Sequence, residues 1–167
     1  DTSGLILLAK NDAAHQWLQR QFKDRLVEKT YLALADGVPP TPVGRIEAPI
    51  GRDRRQRKQM AVVPEARGRK AETLYRVARA FARHSLLELQ PLTGRTHQIR
   101  VHLAFLGCPV VGDRVYGRKR PSLPVTRQML HAWRLRLRLP GEAEARDFEA
   151  PVPPDFAEAL EWLQQTG

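Results

Sequence analysis

The residues best suited to chemistry lie in one block that joins a glycine turn to a predicted helix start. The block reads Thr93-Gly94-Arg95-Thr96-His97-Gln98-Ile99-Arg100. Free N–H groups and the positive end of the helix dipole make such a start an anion site. Arg100, one turn into the helix, is placed to reach a carboxylate in a cleft and to hold it ionised and oriented. For an isolated arginine, the simpler interpretation is a surface ion pair worth about 0–1 kcal/mol.

Two histidines and a tyrosine are further candidates. His97 and His102 are five residues apart, which puts them on different faces of a helix, and no carboxylate or thiol completes a metal-binding set. We therefore predict hydrogen-bonding histidines and no metal site. Tyr31 lies in the middle of a predicted strand, where a tyrosine is more often a core or surface residue than a catalytic one.

Positive charge points to a polyanionic partner. The chain has 28 Lys and Arg against 18 Asp and Glu, a net charge of +10. Within 52–70 only Asp53 and Glu65 oppose a dense basic set: Arg52, Arg54, Arg55, Arg57, Lys58, Arg67, Arg69 and Lys70. We predict that this segment binds the phosphates of a nucleic-acid duplex or stem, the alternative being a solvated loop with no partner. Arg118-Lys119-Arg120 forms a second, less specific cluster.

The elements that must position these residues follow from apolar periodicity. One helix is predicted from an Asn11-Asp12 cap to Leu26, a second over Thr96–Leu106 with Thr96 as its cap, and a third from Pro153-Pro154-Asp155 onwards. Strands are predicted over Leu5–Ala9, Lys29–Ala35, Arg45–Ile50, Gln59–Val63, Glu72–Ala80, Ser85–Leu89 and Leu130–Leu139. In the last strand, leucines and Trp133 alternate with arginines, so one face is core and the other positive.

These elements predict an α+β fold, a single mixed domain with a mainly antiparallel central sheet and flanking helices. A chain of 167 residues buries roughly 70% of its unfolded surface, enough for a core. No apolar run approaches the roughly 20 residues of a membrane span. Cys108 is the only cysteine, which excludes an internal disulfide framework and a thiolate zinc site, so we expect a cytoplasmic protein.

Several motifs occur in the order and spacing of a known family. They are Thr2-Ser3-Gly4-Leu5-Ile6-Leu7-Leu8-Ala9-Lys10, Glu28-Lys29-Thr30-Tyr31, Arg69-Lys70-Ala71-Glu72-Thr73, the block from Thr93 extended to His102, and Gly112-Asp113. With these the chain resembles the RluA-type pseudouridine synthases over nearly its whole length. The resemblance implies the pseudouridine synthase fold and isomerisation of uridine in structured RNA, ribosomal or transfer, without cofactor or metal.

The resemblance also implies roles for single residues. Tyr31 matches the tyrosine that stacks on the target base and is implicated in removing the proton from its C5, and Arg100 matches the arginine that pairs with a catalytic aspartate. Ile99 matches an apolar pocket residue. The other predicted substrate-binding residues are Thr2, Arg95, His97 and Gln98 from the motifs and Arg55, Arg57 and Lys70 from the basic segment.

In that family the nucleophilic aspartate ends a His-Arg-Leu-Asp segment and lies two positions ahead of the residue that Asp1 matches. Asp1 fills a variable position, so it is not assigned the nucleophilic role. We expect residues 1–167 to be a catalytic domain that starts just after the nucleophile, without the strand leading into Thr2, and to be inactive alone.

Two other functions remain open on sequence. The first is a non-catalytic RNA-binding or ribosome-assembly module on the same fold, which a residue other than aspartate at the upstream position would favour. The second is a basic nuclease, which ranks last because the sequence offers no carboxylate cluster for a metal and no paired histidines. The sequence names neither the RNA nor the uridine. It does not fix the oligomeric state either, for which a monomer is the default expectation.

Overall fold

The centre of the molecule is a seven-stranded sheet that is antiparallel except where its first strand joins. The structure is a computed structural model that describes residues 1–166. Its strands are β1 (Ser3–Gly4), β2 (Glu28–Asp36), β3 (Val43–Glu47), β6 (Glu72–Ala80), β7 (His84–Pro91), β8 (Leu130–Leu137) and β9 (Arg146–Glu149). The strand order is β1-β8-β2-β7-β6-β3, with β9 also paired to β8, and among these pairs only β1 and β8 run parallel.

A separate two-stranded sheet carries the basic segment. It pairs β4 (Ile50–Arg52) with β5 (Met60–Val62) and is followed by a 3-10 turn over Glu65–Arg67. The single strand predicted over Arg45–Ile50 is therefore two strands in two sheets. Pro49 lies at the break and supplies no N–H for a ladder, which explains why the strand does not continue.

Three helices flank the sheet: α1 (Asp12–Lys23), α2 (Gln98–Phe105) and α3 (Pro154–Thr166). The predicted cap of α1 is confirmed, because the Asn11 side chain accepts a hydrogen bond from the Ala14 N–H at 2.8 Å. This helix ends at Lys23 rather than Leu26, since Arg25 takes a left-handed conformation with φ 59°. The predicted start of α3 is confirmed. No helix among residues 1–166 is long and apolar enough to cross a membrane.

The sheet is covered by α2 on one face and α3 on the other. Alternation along β2 sends Ala33 into a cluster with Leu103 of α2, whereas Leu34 joins Phe156 of α3 in a second cluster. Ala33, Leu34, Leu103 and Phe156 are all fully buried. The predicted α+β class, with a mainly antiparallel sheet and flanking helices, is confirmed.

The strand predicted over Leu5–Ala9 is wrong. Among residues 1–166, strand pairing near the start of the chain is limited to Ser3 and Gly4, which precede this segment, and the Leu5 N–H adds one bond to the Ala132 carbonyl at 2.9 Å. Beyond it Ile6 is 80% and Leu8 74% exposed. The apolar composition indicates that the run favours burial, but residues 1–166 provide no strand with which it could pair, so it does not form a strand.

The second helix begins later than predicted. Thr96 does not cap it: the cap residue is His97, whose φ is 56° and whose side chain makes no capping bond. Instead, the Gln98 side chain accepts a hydrogen bond from the Arg95 N–H at 3.0 Å and so holds the turn before the helix. The glutamine therefore satisfies one N–H of the preceding turn, and not an N–H of the first helical turn as a threonine cap would.

The alternation predicted for the last long strand is confirmed, but its arginine face is not a free positive surface. The strand ends at Leu137 rather than Leu139. The unpredicted strand β9 lies beside it, and there Arg134 pairs with Glu149 at 2.8 Å and Arg136 with Asp147 at 3.4 Å. These acidic partners neutralise much of the face.

Candidate active site

One cavity collects most of the predicted site residues. Its volume is about 770 Å³, within the usual range for small-molecule sites. Its walls come from β2, the turn between β7 and α2, the loop after Gly112 and the start of the chain. The predicted residues that line it are Thr2, Tyr31, Arg95, His97, Gln98, Ile99 and Arg100.

Tyr31 is aimed into this cavity from the central strand β2. The pairing of β2 with β8 shifts register between Thr30 and Tyr31, an irregularity of the kind that redirects a side chain. Burial raises the pKa of Tyr31, so the phenol stays protonated at neutral pH. The residue therefore offers a ring face and a neutral hydroxyl.

Arg100 is held by a buried carboxylate that the sequence analysis did not assign. Its Nε and Nη2 atoms donate to the two carboxylate oxygens of Asp113 at 2.7 and 2.8 Å. The side chain of Arg100 is 11% exposed and that of Asp113 0%, so this is not a surface ion pair. The guanidinium also lies 4.9 Å from the centre of the Tyr116 ring. The motif Gly112-Asp113 was the available signal for this partner.

Asp113 is kept ionised by its surroundings. Burial alone would raise its pKa, but hydrogen bonds from Arg100 and from the Tyr116 and Val115 N–H groups outweigh burial and hold the pKa below its ordinary value. The two N–H groups donate to the same carboxylate oxygen at 2.9 and 3.0 Å. Pairing of Arg100 with a nucleophilic aspartate stays a prediction, and its Nη1 atom makes no hydrogen bond within residues 1–166.

Gln98 lines the cavity but is fully occupied inside the protein. Its oxygen accepts hydrogen bonds from the Thr93 hydroxyl at 2.7 Å and the Arg95 N–H at 3.0 Å. Its nitrogen donates to the Glu72 carbonyl at 2.8 Å and the Thr73 hydroxyl at 3.0 Å. The amide ties α2 to β6 and shapes the turn, so the geometry favours a positioning role.

Both histidines make hydrogen bonds, as predicted. His97 Nδ1 lies 3.0 Å from the Tyr116 hydroxyl at the cavity wall. His102 is buried between the Thr73 hydroxyl at 2.9 Å and the Ala48 carbonyl at 3.0 Å. Burial lowers the pKa of both imidazoles, which favours their neutral forms. Within residues 1–166, no group of three or more metal-binding side chains comes together.

The chain start is tied to the cavity wall. The Gln128 side chain donates to the Thr2 hydroxyl at 2.7 Å, and Arg127 Nη1 donates to the Asp1 carbonyl at 3.3 Å. Arg127 is itself fixed by two hydrogen bonds to Asp155, at 2.7 and 2.8 Å. The backbone of residues 1–2 therefore has a defined place beside Tyr31 and Arg100.

Three predicted substrate-binding residues lie outside the cavity lining. Arg55 and Arg57 are exposed at the tip of the β4–β5 hairpin, where the Asp53 carboxylate accepts the Arg55 N–H at 2.6 Å. Lys70 is bound to Glu72 by an ion pair of 2.8 Å. These residues are placed for contacts with more distant parts of a large ligand rather than with a group inside the cavity.

Comparison with known proteins agrees with this geometry. The solved structures that share the fold include human RNA pseudouridylate synthase domain containing 1, with a TM-score of 0.75 and 31% identity over 93% of this chain and 73% of that one. The family model described as RNA pseudouridylate synthase matches residues 1–105. The chain belongs to the RNA pseudouridylate synthase family.

Two bacterial relatives show how much of a family member is covered. An uncharacterised RNA pseudouridine synthase of Chloroflexus aurantiacus is 51% identical over 98% of this chain and 51% of its own length. Ribosomal large subunit pseudouridine synthase D of Nitrosomonas europaea is 43% identical over 98% of this chain and 49% of its own length. The chain thus spans about half the length of these relatives.

Proposed function

We propose that the protein isomerises uridine to pseudouridine in RNA, and that its substrate is ribosomal RNA, as the name of the Nitrosomonas europaea relative says for that protein. The observation that carries the proposal is the single cavity in which Tyr31, Ile99 and Arg100 meet the start of the chain. These are the positions at which the family resemblance implies a base platform, an apolar wall and a partner for the nucleophile.

The cavity supplies the features that a flipped-out uridine needs. An RNA base leaves its stack to be reached, and an aromatic ring such as that of Tyr31 offers a surface on which it restacks. Ile99 is buried at 6% exposure and closes the pocket with an apolar wall. Arg114 also lines the cavity and provides positive charge for the phosphate of the same nucleotide.

The nucleophile belongs beside the same wall. In the family it lies two positions ahead of the residue matched by Asp1, and two residues span at most about 7 Å. Because Asp1 and Thr2 line the cavity, that carboxylate comes within reach of the target and of the free Nη1 atom of Arg100. A guanidinium there stabilises the ionised, nucleophilic form of a carboxylate.

The reaction balances without a co-reactant because it is an isomerisation. Covalent attack by the carboxylate leads to cleavage of the bond between N1 and C1′, and the bond to the carboxylate is broken again before the product leaves, so the aspartate is regenerated. The base turns, C5 bonds to C1′ in place of N1, C5 loses a proton and N1 gains one. Burial keeps the Tyr31 phenol protonated at neutral pH, so the free protein presents its ring as a stacking surface. To remove the C5 proton, the phenol oxygen must come close to C5 in the complex and give up its own proton as it accepts that one.

The test uses the natural full-length protein and ribosomal RNA isolated from a strain that lacks its gene. Pseudouridine is mapped by carbodiimide modification and primer extension, before and after incubation with the protein. New pseudouridine at a defined uridine supports the proposal. Tight RNA binding without any pseudouridine would refute it and favour the non-catalytic RNA-binding module. A monomeric state and a cytoplasmic location stay predictions.

A further inference from the structure

A second cavity adjoins the candidate active site. Its volume is about 750 Å³, close to that of the first. The two cavities share Lys29 of β2 and the turn after β7, Pro91, Thr93, Gly94 and Arg95, as a common wall, so they lie side by side, and together we call them the groove. Each part is large enough for a nucleotide.

The second cavity is lined by cations that lack acidic partners. Lys23, Arg25, Lys29 and Arg95 face it, against the single carboxylate of Glu28. No carboxylate within the described part of the chain lies within 4.0 Å of any of these four cations, in contrast to the ion-paired arginines of β8. Burial first, and then the neighbouring Arg69 and Arg25, lower the pKa of Arg95, whose Nε donates a hydrogen bond to the Lys70 carbonyl at 3.0 Å.

The backbone of Arg25 has a conformation that is unfavourable for an arginine. Its φ of 59° lies in the left-handed region, which costs a residue with a side chain about 1–2 kcal/mol. A position just after a helix with this geometry is usually glycine or asparagine. The left-handed turn closes the helix, because the Leu26 N–H donates to the Gln21 carbonyl at 2.9 Å, and it leaves the Arg25 side chain on the wall of the second cavity.

Apolar surface accompanies the charge. Phe22 is 45% and Leu92 40% exposed, and both line the second cavity. The Lys29 ammonium lies 5.7 Å from the centre of the Phe22 ring. Aromatic rings beside a row of cations are the features with which proteins bind single-stranded nucleic acid, through stacked bases and neutralised phosphates.

We propose that the second cavity binds the unpaired RNA strand adjoining the target nucleotide, with one base against Phe22 and its phosphates against Lys23, Arg25 and Arg95. Lys29 stands in the shared wall and contacts the phosphate that joins the two nucleotides. The inference rests on the proposed function, because it takes the first cavity as the place of the reacting uridine.

The substitution Arg25→Gly separates binding from stability. Glycine accepts φ 59° without strain, so the variant melts at the same temperature as the wild type or higher. For single strands, each phosphate contact lowers the logarithm of the binding constant by about 0.7 for every tenfold increase in salt concentration. Relative to about 1 M salt, one contact therefore contributes roughly 5-fold to the affinity at about 0.1 M salt, and its loss weakens binding by that factor. The double variant Arg25→Gly/Lys23→Ala loses roughly 25-fold, and its salt slope falls by about 1.4.

The matched control is Arg79→Ala, which removes one charge outside the groove. Arg79 pairs in β6 with Leu86 of β7, five residues from Pro91 and therefore about 17 Å along the strand from the shared wall. All variants are made in the full-length protein. Binding is measured by fluorescence anisotropy with a fluorescein-labelled RNA hairpin whose loop is unpaired and rich in uridine, and Arg79→Ala is expected to stay within about 2-fold of the wild type.

Each result has a separate meaning for the subsite and for the enzyme. Wild-type affinity in the double variant, or an equal loss in Arg79→Ala, overturns the subsite. If the wild type forms pseudouridine and the double variant does so with an unchanged KM, the enzyme stands and the subsite is wrong. If the wild type forms none but the double variant still loses affinity, the groove binds RNA and the proposed reaction is wrong.

Discussion

The substitution Asp113→Asn tests whether the buried ion pair organises the candidate active site. Asparagine keeps the size of aspartate but removes the charge and one of the two acceptor oxygens. Arg100 then retains one of its two hydrogen bonds, 2.7 and 2.8 Å in the wild type, and its guanidinium stays buried without a counterion. The asparagine oxygen can replace the carboxylate oxygen that accepts the Val115 and Tyr116 N–H groups and Arg100 Nη2, and its NH2 group then faces Arg100 Nε, which has no acceptor.

The expected loss of stability is large for a single atom exchange. Removing one partner of a buried ion pair costs about 3–5 kcal/mol. Because asparagine keeps one acceptor, we expect the lower end, about 3 kcal/mol. For a domain of this size, 1 kcal/mol shifts Tm by about 2–4 °C, so the melting temperature should fall by about 6–12 °C.

A second bidentate pair provides the control. Arg127 and Asp155 have the same geometry, with distances of 2.7 and 2.8 Å, but the Asp155 side chain is 44% exposed. Solvent screens that pair, so Asp155→Asn should cost no more than about 1 kcal/mol. Thermal and urea denaturation of the wild type, Asp113→Asn and Asp155→Asn then compares the free energy of unfolding lost at a buried and at an exposed arginine–aspartate pair of similar geometry.

The pH dependence gives an independent check of the same pair. The folded pKa of Asp113 is lower than its unfolded value of about 3.9, so its stabilisation is present above that pH and is lost as the pH falls through the folded pKa. The stability gap between wild type and Asp113→Asn should therefore narrow below about pH 4. If Asp113→Asn were as stable as Asp155→Asn at pH 7, or if the gap did not change with acid, the reasoning would be refuted.

Three further predictions concern other parts of the site. Tyr31→Phe should keep RNA affinity within about 2-fold, since the ring still stacks, but lose pseudouridine formation; wild-type turnover in a single-turnover assay would exclude the hydroxyl from the reaction. Burial lowers the pKa of His102, so the free energy of unfolding of the wild type should decrease as the pH falls below the unfolded value of about 6.5. Urea denaturation at several pH values from about 8 to about 5 should show a shallower decrease for His102→Gln. Equal pH dependence in the two proteins would contradict this. Gly112→Ala, at φ 75°, would place a Cβ against the Arg127 carbonyl oxygen, whereas Gly141→Ala, at φ 83°, meets open space. In urea denaturation we therefore expect a loss of about 1–2 kcal/mol from backbone strain at Gly141 and a clearly larger loss at Gly112. Equal losses would show that the close contact relaxes freely.

Local patterns in the sequence predict much of the fold. The two-residue alternation of β6 predicts its observed bounds, Glu72–Ala80, and the Asn11 cap and the proline start of α3 are found where the sequence puts them. The motif from Thr93 to Arg100 also predicts one wall of the cavity correctly. These features depend on neighbours within a few residues, which is the range over which side-chain periodicity and capping act.

Partners distant in sequence are set only by the tertiary structure. The apolar run Leu5–Ala9 has the composition of a buried strand, yet residues 1–166 pair only its first N–H. Arg100 meets Asp113 because the loop after α2 turns back over the helix, and the unpredicted β9 supplies the carboxylates opposite the arginines of β8. The residue types indicate that an apolar run needs burial and that an arginine needs an acidic partner, but they do not indicate which residues provide them.

The groove illustrates the same division. The sequence by itself determined the charge, the family resemblance and part of the lining of the first cavity. Only the fold places Phe22 and Arg25, at the end of α1, beside Arg95 in the turn after β7, seventy positions further along the chain. That proximity arises because β2 and β7 are neighbours in the sheet, and strand order depends on the burial and hydrogen bonding of the whole chain rather than on any local pattern.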